Sequence, residues 1–181
     1  MIVPSTRIFT AGEIETGAYL NSAVTNMGNF MLGKPVTLLR QTGNQSLTAS
    51  AYTAITWNVA DVNRDNNFSS GSALWTCNTA GWYQFAGGGS FASTATAVSD
   101  RRAFWYKTPS GGSAAGLSYG FTSDRVSLTS TAMTILAHPV MVYMNVGDAI
   151  DLRLWTTASG TTTNSSVSAY NCWMSAQWVS L

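Results

Sequence analysis

The chain has 181 residues, of which 45% are hydrophobic, 12% aromatic and only 9% charged, with a formal net charge of +1. That length and apolar content are enough for one core, while a net charge near zero without any basic cluster excludes the electrostatic footprint of a nucleic-acid binder. Charged residues fall far below the roughly 25% usual in soluble proteins, so solubility rests on Ser, Thr, Asn, Gln and Gly, a surface easily buried against neighbouring subunits.

Residues 1–34 read differently from the rest. Tyr19, Ala23, Met27 and Phe30 or Met31 recur at helical spacing, which predicts one short amphipathic helix ended by Gly33 and by Pro35 two residues on. Gly28 interrupts it, and a helix this short needs a partner surface. The opening, Met1 to Arg7, lacks a basic leader followed by an apolar core, so no secretory signal is expected and the protein is expected to stay in the cytoplasm where it is made. In that compartment Cys77 and Cys172 are expected to be free, buried thiols.

From Val36 onward the pattern is strand, turn, strand. Strands are expected over residues 36–40, 52–58, 82–88, 102–107, 114–119, 126–136, 140–144, 149–155 and 167–179, each combining β-branched or aromatic residues with alternation. Loops are expected over residues 63–72, 109–113 and 159–166. Gly81, just before Trp82 and Tyr83, and Gly147-Asp148 mark sharp corners. Many short strands without a βαβ rhythm predict an all-β fold, an antiparallel sandwich of the jelly-roll type. The longest uncharged apolar stretch, residues 134–146, is broken by His138-Pro139 and Asn145, too soon for the ~20 residues of a membrane helix. No membrane insertion is expected.

Catalysis by acid, base or nucleophile requires paired groups. His138 is the only histidine, and the eight acidic residues are scattered without a motif. No catalytic residue, cofactor or metal is therefore assigned. Asp61-Val-Asn-Arg-Asp-Asn-Asn67 does place oxygens at alternate positions, as calcium loops do, but Asn66 stands where such a loop wants glycine and Ser72 where it wants glutamate. Asx turns explain the segment better.

The runs Thr76-Cys-Asn-Thr-Ala-Gly-Trp-Tyr-Gln-Phe85, Arg101-Arg-Ala-Phe-Trp-Tyr-Lys107, Val146-Gly-Asp-Ala-Ile-Asp-Leu152 and Met174-Ser-Ala-Gln-Trp-Val179 resemble, in this order, the trimeric jelly-roll module of complement-type heads and the tumour-necrosis-factor family, in the version found on virions of tailed bacteriophages. Phe9-Thr-Ala-Gly-Glu-Ile-Glu-Thr-Gly-Ala-Tyr-Leu-Asn21 resembles the opening of many surface proteins of such phages, particularly those infecting actinobacteria. The resemblance implies two parts: residues 1–34 as a virion-attachment segment, with Phe9, Tyr19, Leu20, Met27 and Phe30 as its anchor side chains, and residues 35–181 as a trimerising display domain. Trp82, Tyr83, Phe85, Tyr170, Trp173 and Trp178 would then divide between the sandwich core and the threefold interface, strand alternation leaving open which parity faces the axis. The implied function is that of a non-enzymatic homotrimeric protein on the virion surface, a capsid decoration or head fibre, with phage capsid or tail proteins as partners. A tail-fibre tip or baseplate module that binds a host cell-surface glycan is the alternative.

Overall fold

The computed structural model describes residues 16–92, 99–117, 122–126, 133–164 and 172–181. Among these residues a 16-residue helix, α1 (Gly17–Leu32), precedes eleven strands: β1 (Val36–Arg40), β2 (Thr53–Ala54), β3 (Val59–Asn63), β4 (Trp75–Thr76), β5 (Gly81–Phe91), β6 (Ser99–Thr108), β7 (Ala115–Gly116), β8 (Thr122–Val126), β9 (Met133–Met144), β10 (Ala149–Thr156) and β11 (Trp173–Ser180). They form two antiparallel sheets, one ordered β3-β1-β11-β5-β9 and the other β2-β10-β6-β7, with β4 added to β10 and β8 to β6. The expected all-β sandwich with one small helix is the observed fold.

The core lies between the sheets. Trp57, Trp75, Trp105, Tyr83, Phe85, Leu39, Ile150 and Leu152 are fully buried there. Trp75 stands edge-on to both Tyr83 and Phe85, at ring separations of 4.9 and 5.3 Å, and its indole N–H donates to the Thr37 hydroxyl at 3.0 Å. An indole buried so deeply needs that acceptor. Two inward-facing glycines of β5 set how closely the layers approach: a side chain on Gly87 would meet Trp105 and Leu152, and one on Gly89 would meet Leu154.

Several expected boundaries move, each for a physical reason. Residues 52–58 were expected as one strand, but only Thr53–Ala54 pair, with β10; the segment then leaves the ladder so that Ile55 and Trp57 drop into the core. The expected break at His138-Pro139 does not occur. β9 runs through it as an edge strand, with a register shift that sets Ala137 opposite Gly87 and Val140 opposite Phe85. An edge strand with a bulge tolerates a proline because no ladder hydrogen bond is lost. The expected strand over residues 126–136 instead belongs to two strands, β8 ending at Val126 and β9 starting at Met133, with residues 127–132 outside the described set. Residues 118–119 and 167–171 of two other expected strands also lie outside it. The loop expected to begin at residue 63 is preceded by an unforeseen strand, β3, whose pairing with β1 is locked at its edge by Arg40 and Asp61, 2.8 Å apart.

That ion pair also engages the first of the calcium-like loop's oxygen ligands. Asp61 faces Arg40, whereas Asp65 accepts a hydrogen bond from the Thr79 hydroxyl at 2.6 Å. Asn63 accepts from the amide of Asn67 and donates to the carbonyl of Phe68, so its side chain bonds the loop backbone four and five residues on, a wider span than the expected Asx turn. Asp65 and Asn66 take positive φ within that loop. Among the described residues no three potential ligands cluster.

Candidate functional site

Alternation along β5 points Tyr83 and Phe85 inward and Trp82, Gln84 and Ala86 outward. Cross-strand pairing extends the outward row: Trp82 stands opposite Tyr143, Gln84 opposite Met141 and Gln177, Ala86 opposite Ser175, and Gly88 opposite Leu136 and Trp173. Leu38 joins from β1 and Val179 from the end of β11. The result is a face of large apolar side chains left in solvent, Trp82 being 41% and Tyr143 37% exposed, with their rings edge-to-face at 5.6 Å.

Charge is divided between the sheets. Strands β5, β9 and β11 contain no Asp, Glu, Lys or Arg, while β6 and β10 hold Asp100, Arg101, Arg102, Lys107, Asp151 and Arg153. On the first sheet the charged side chains Arg40 and Asp61 stand at the far β1–β3 edge and neutralise each other. Across β11, β5 and β9 the outward face is therefore uncharged and carries exposed rings.

The second sheet presents a different outer surface. Tyr52, Phe104 and Tyr106 form a ring cluster with separations of 5.3 to 5.9 Å, and the Arg153 guanidinium stacks 4.0 Å from the Tyr106 ring while binding the Asp151 carboxylate with two hydrogen bonds of 2.7 and 2.9 Å. Burial raises the Asp151 carboxyl above its usual range despite Arg153, whose own proton the carboxylate holds more firmly. Arg102 stacks on Trp155 at 4.3 Å.

Both expected corners sit at one end of the sandwich. Gly81 has φ +146°, and a side chain there would collide with the Trp178 indole and the Ser180 carbonyl. Gly147 has φ +86°, which glycine alone adopts readily. Beside it, the buried Asp148 carboxylate accepts from the amides of Asn145 and Ser110, both at 3.0 Å, and pairs with the Lys107 ammonium at 2.8 Å. Burial opposes its charge, but Lys107 and the two amides outweigh burial and hold the carboxyl below its usual range. Asp148 is thus the clasp of a turn, committed on every side.

The remaining expected site residues scatter. Trp178 faces inward, its indole N–H donating to the Ala80 carbonyl at 3.2 Å, and Trp173 is half-buried on the outward row. Tyr170 and Phe9 lie outside the described residues, as does the Tyr19 side chain. On α1, Leu20 and Met27 are exposed, but Phe30 is not free: it packs edge-to-face on Trp178 at 5.0 Å and, partly buried, lies against the core cluster. Phe30, expected among the anchor side chains, is thus also a contact of the jelly roll. Both cysteines are free and buried, as expected, and burial pushes the Cys77 thiol up to about 11. The sequence reading missed Leu38, Leu136, Met141, Tyr143 and Val179. For Leu136, Met141 and Tyr143 a signal, the absence of charge over residues 133–144, was legible in the sequence.

Comparison with protein-family models and with curated proteins finds no match. Solved structures do match. The globular domain of a zebrafish complement 1qA protein aligns with a TM-score of 0.57 at 12% identity, covering 81% of this chain and 98% of its own. Murine APRIL at pH 5.0 aligns with a TM-score of 0.58 at 12% identity, covering 81% and 99% respectively. The fold is that of the C1q and tumour-necrosis-factor jelly rolls. At this identity the likeness speaks for the fold alone.

Proposed function

We propose that the protein is a non-enzymatic display module that works as a homotrimer, with the outward face of the β3-β1-β11-β5-β9 sheet, uncharged across β11, β5 and β9, as its subunit interface. The observation that carries this reading is the division of charge between the two sheets. Six large apolar side chains on that face, Leu38, Trp82, Leu136, Met141, Tyr143 and Val179, are exposed. Covering each is worth about 1 kcal/mol, half the value of a fully exposed side chain. Summed over the subunits, that is the size needed against an association cost of ~4–15 kcal/mol. A closed ring buries such a face without leaving a filament-forming surface.

The same reading makes the protein a component of a tailed-phage virion, a capsid decoration or head fibre, with residues 1–34 as the segment that attaches to the particle. The resemblance of residues 9–21 and of the ordered strand motifs supports it. Chemistry supports a role without catalysis: Asp61, Asp148 and Asp151 are each engaged by a cation and Asp65 by a hydroxyl. The test is the mass of the full chain by light scattering at micromolar concentration, with Trp82→Glu beside it. A trimer that Trp82→Glu converts to folded monomer is expected; a wild-type monomer would overturn the reading. Particle location is tested separately, by fitting the jelly roll into a density map of the intact virion.

One observation favours glycan binding as a second role. Tyr52, Phe104 and Tyr106, with the Arg153–Asp151 pair, combine ring faces with hydrogen-bonding groups on the sheet that this trimer leaves in water. Saccharides are held by that combination. Loss of binding on a glycan array in Tyr52→Ala would support it, and an empty array for the wild type would remove it.

A further inference from the structure

Over its 16 residues α1 contains no charged side chain. Leu20, Val24 and Met27 line one stripe at spacings of four and three, the a/d repeat of a coiled-coil seam. All three are in solvent, at 49%, 70% and 57% exposure. Ala23 and Gly28, being small, leave a shallow apolar hollow beside Val24 and Met27, of the kind that receives a side chain from a facing helix. The polar residues Asn21, Thr25, Asn26 and Asn29 lie off the stripe.

The root of the helix is fixed to the sandwich. Phe30 packs on Trp178, the Lys34 ammonium lies 5.5 Å from the same ring, and Arg64 donates to the Leu32 carbonyl at 3.0 Å. These contacts fall at the end of the sandwich where β1 starts beside Trp178, and where Trp82, Tyr143 and Val179 close the uncharged face. The root of the helix therefore lies at the end of the sandwich where the proposed subunit interface ends, with the exposed stripe in the turns before it.

We infer that the occupant of the stripe is the same stripe in the other copies of this chain, so that the helices associate about the threefold axis and extend the interface beyond the jelly roll. This rests on the self-association reading above. A partner of opposite charge would find nothing to read on a helix without charges, whereas identical uncharged stripes meet without repulsion. Leu20 and Met27, expected from the sequence to touch the particle, then face each other, and attachment falls to the residues ahead of the helix. Three short helices held at their roots gain what one lacks, because linking them to an existing trimer makes their association intramolecular.

The experiment uses the full chain with Val24→Cys, on the stripe, and Thr25→Cys, off it. Cys77 and Cys172 are fully buried, so the introduced thiol is the accessible one. Mild oxidation is expected to link subunits of Val24→Cys covalently in pairs, and to leave Thr25→Cys at least tenfold less linked. As a second measurement, Val24→Asn should shift trimer dissociation to at least tenfold higher protein concentration. A chain that sizes as a trimer yet links neither variant, or both equally, overturns the helix inference and leaves the display reading standing. A chain that sizes as a monomer overturns both.

Discussion

The indole of Trp178 occupies the place a side chain on Gly81 would need, and the Ser180 carbonyl closes the other side. Since φ at Gly81 is +146° as well, two independent penalties fall on any substitution. Gly81→Ala should cost about 2–6 kcal/mol, from strain of ~1–3 kcal/mol plus overpacking of similar size. Gly81→Val should not fold. Soluble yield and thermal melting check both; a Gly81→Val variant melting like the wild type would show that the Trp178 contact is not rigid.

Asp148 predicts a pH dependence. Its folded pKa lies below the 3.8 of a free aspartate, so its contribution is complete above that value and is lost as the pH falls through the folded pKa. Asp148→Asn should therefore cost about 3 kcal/mol at pH 7, where charged hydrogen bonds to Lys107 and two amides are lost. The gap between variant and wild type should narrow only below about pH 4. Denaturant titrations at pH 7, 5 and 3 measure it, and a constant gap would show that the carboxylate is not the stabilising form.

Gly89 and Leu154 form a testable couple across the sandwich, because a methyl on Gly89 would overlap the Leu154 side chain. Gly89→Ala should destabilise by about 1–3 kcal/mol. Leu154→Ala removes the obstacle while costing about 2–5 kcal/mol by itself. The double variant should be more stable than the sum of the singles by about 1 kcal/mol or more. Additive melting shifts would mean the layers separate freely at this point.

Neither native thiol should react with a thiol reagent at neutral pH. Burial holds Cys77 protonated, its pKa pushed up to about 11, and Cys172 is fully enclosed. Two thiols per chain should appear only in denaturant. Rapid labelling of the native protein would mean that the end of the sandwich carrying Cys77 opens on its own.

The helix over Gly17–Leu32, its stop at Gly33, and the corners at Gly81 and Gly147 were all legible in the chain because they depend on neighbours in sequence. Helical spacing ends where Gly33 and Pro35 end it, and positive φ asks for glycine whatever lies beyond. The phase of β5 was not legible. Trp82, Tyr83 and Phe85 are all aromatic, so alternation says that Trp82 opposes the other two without saying which side is core. Pairing with β9 and β11 and the closure of the second sheet over Tyr83 decided that, and so exposed the uncharged face. The continuity of β9 through His138-Pro139 was likewise a tertiary matter, since a proline is tolerated only because β9 became an edge strand. So was the fate of Phe30, which spacing alone assigned to the helix stripe and which Trp178, distant in sequence, drew onto the jelly roll.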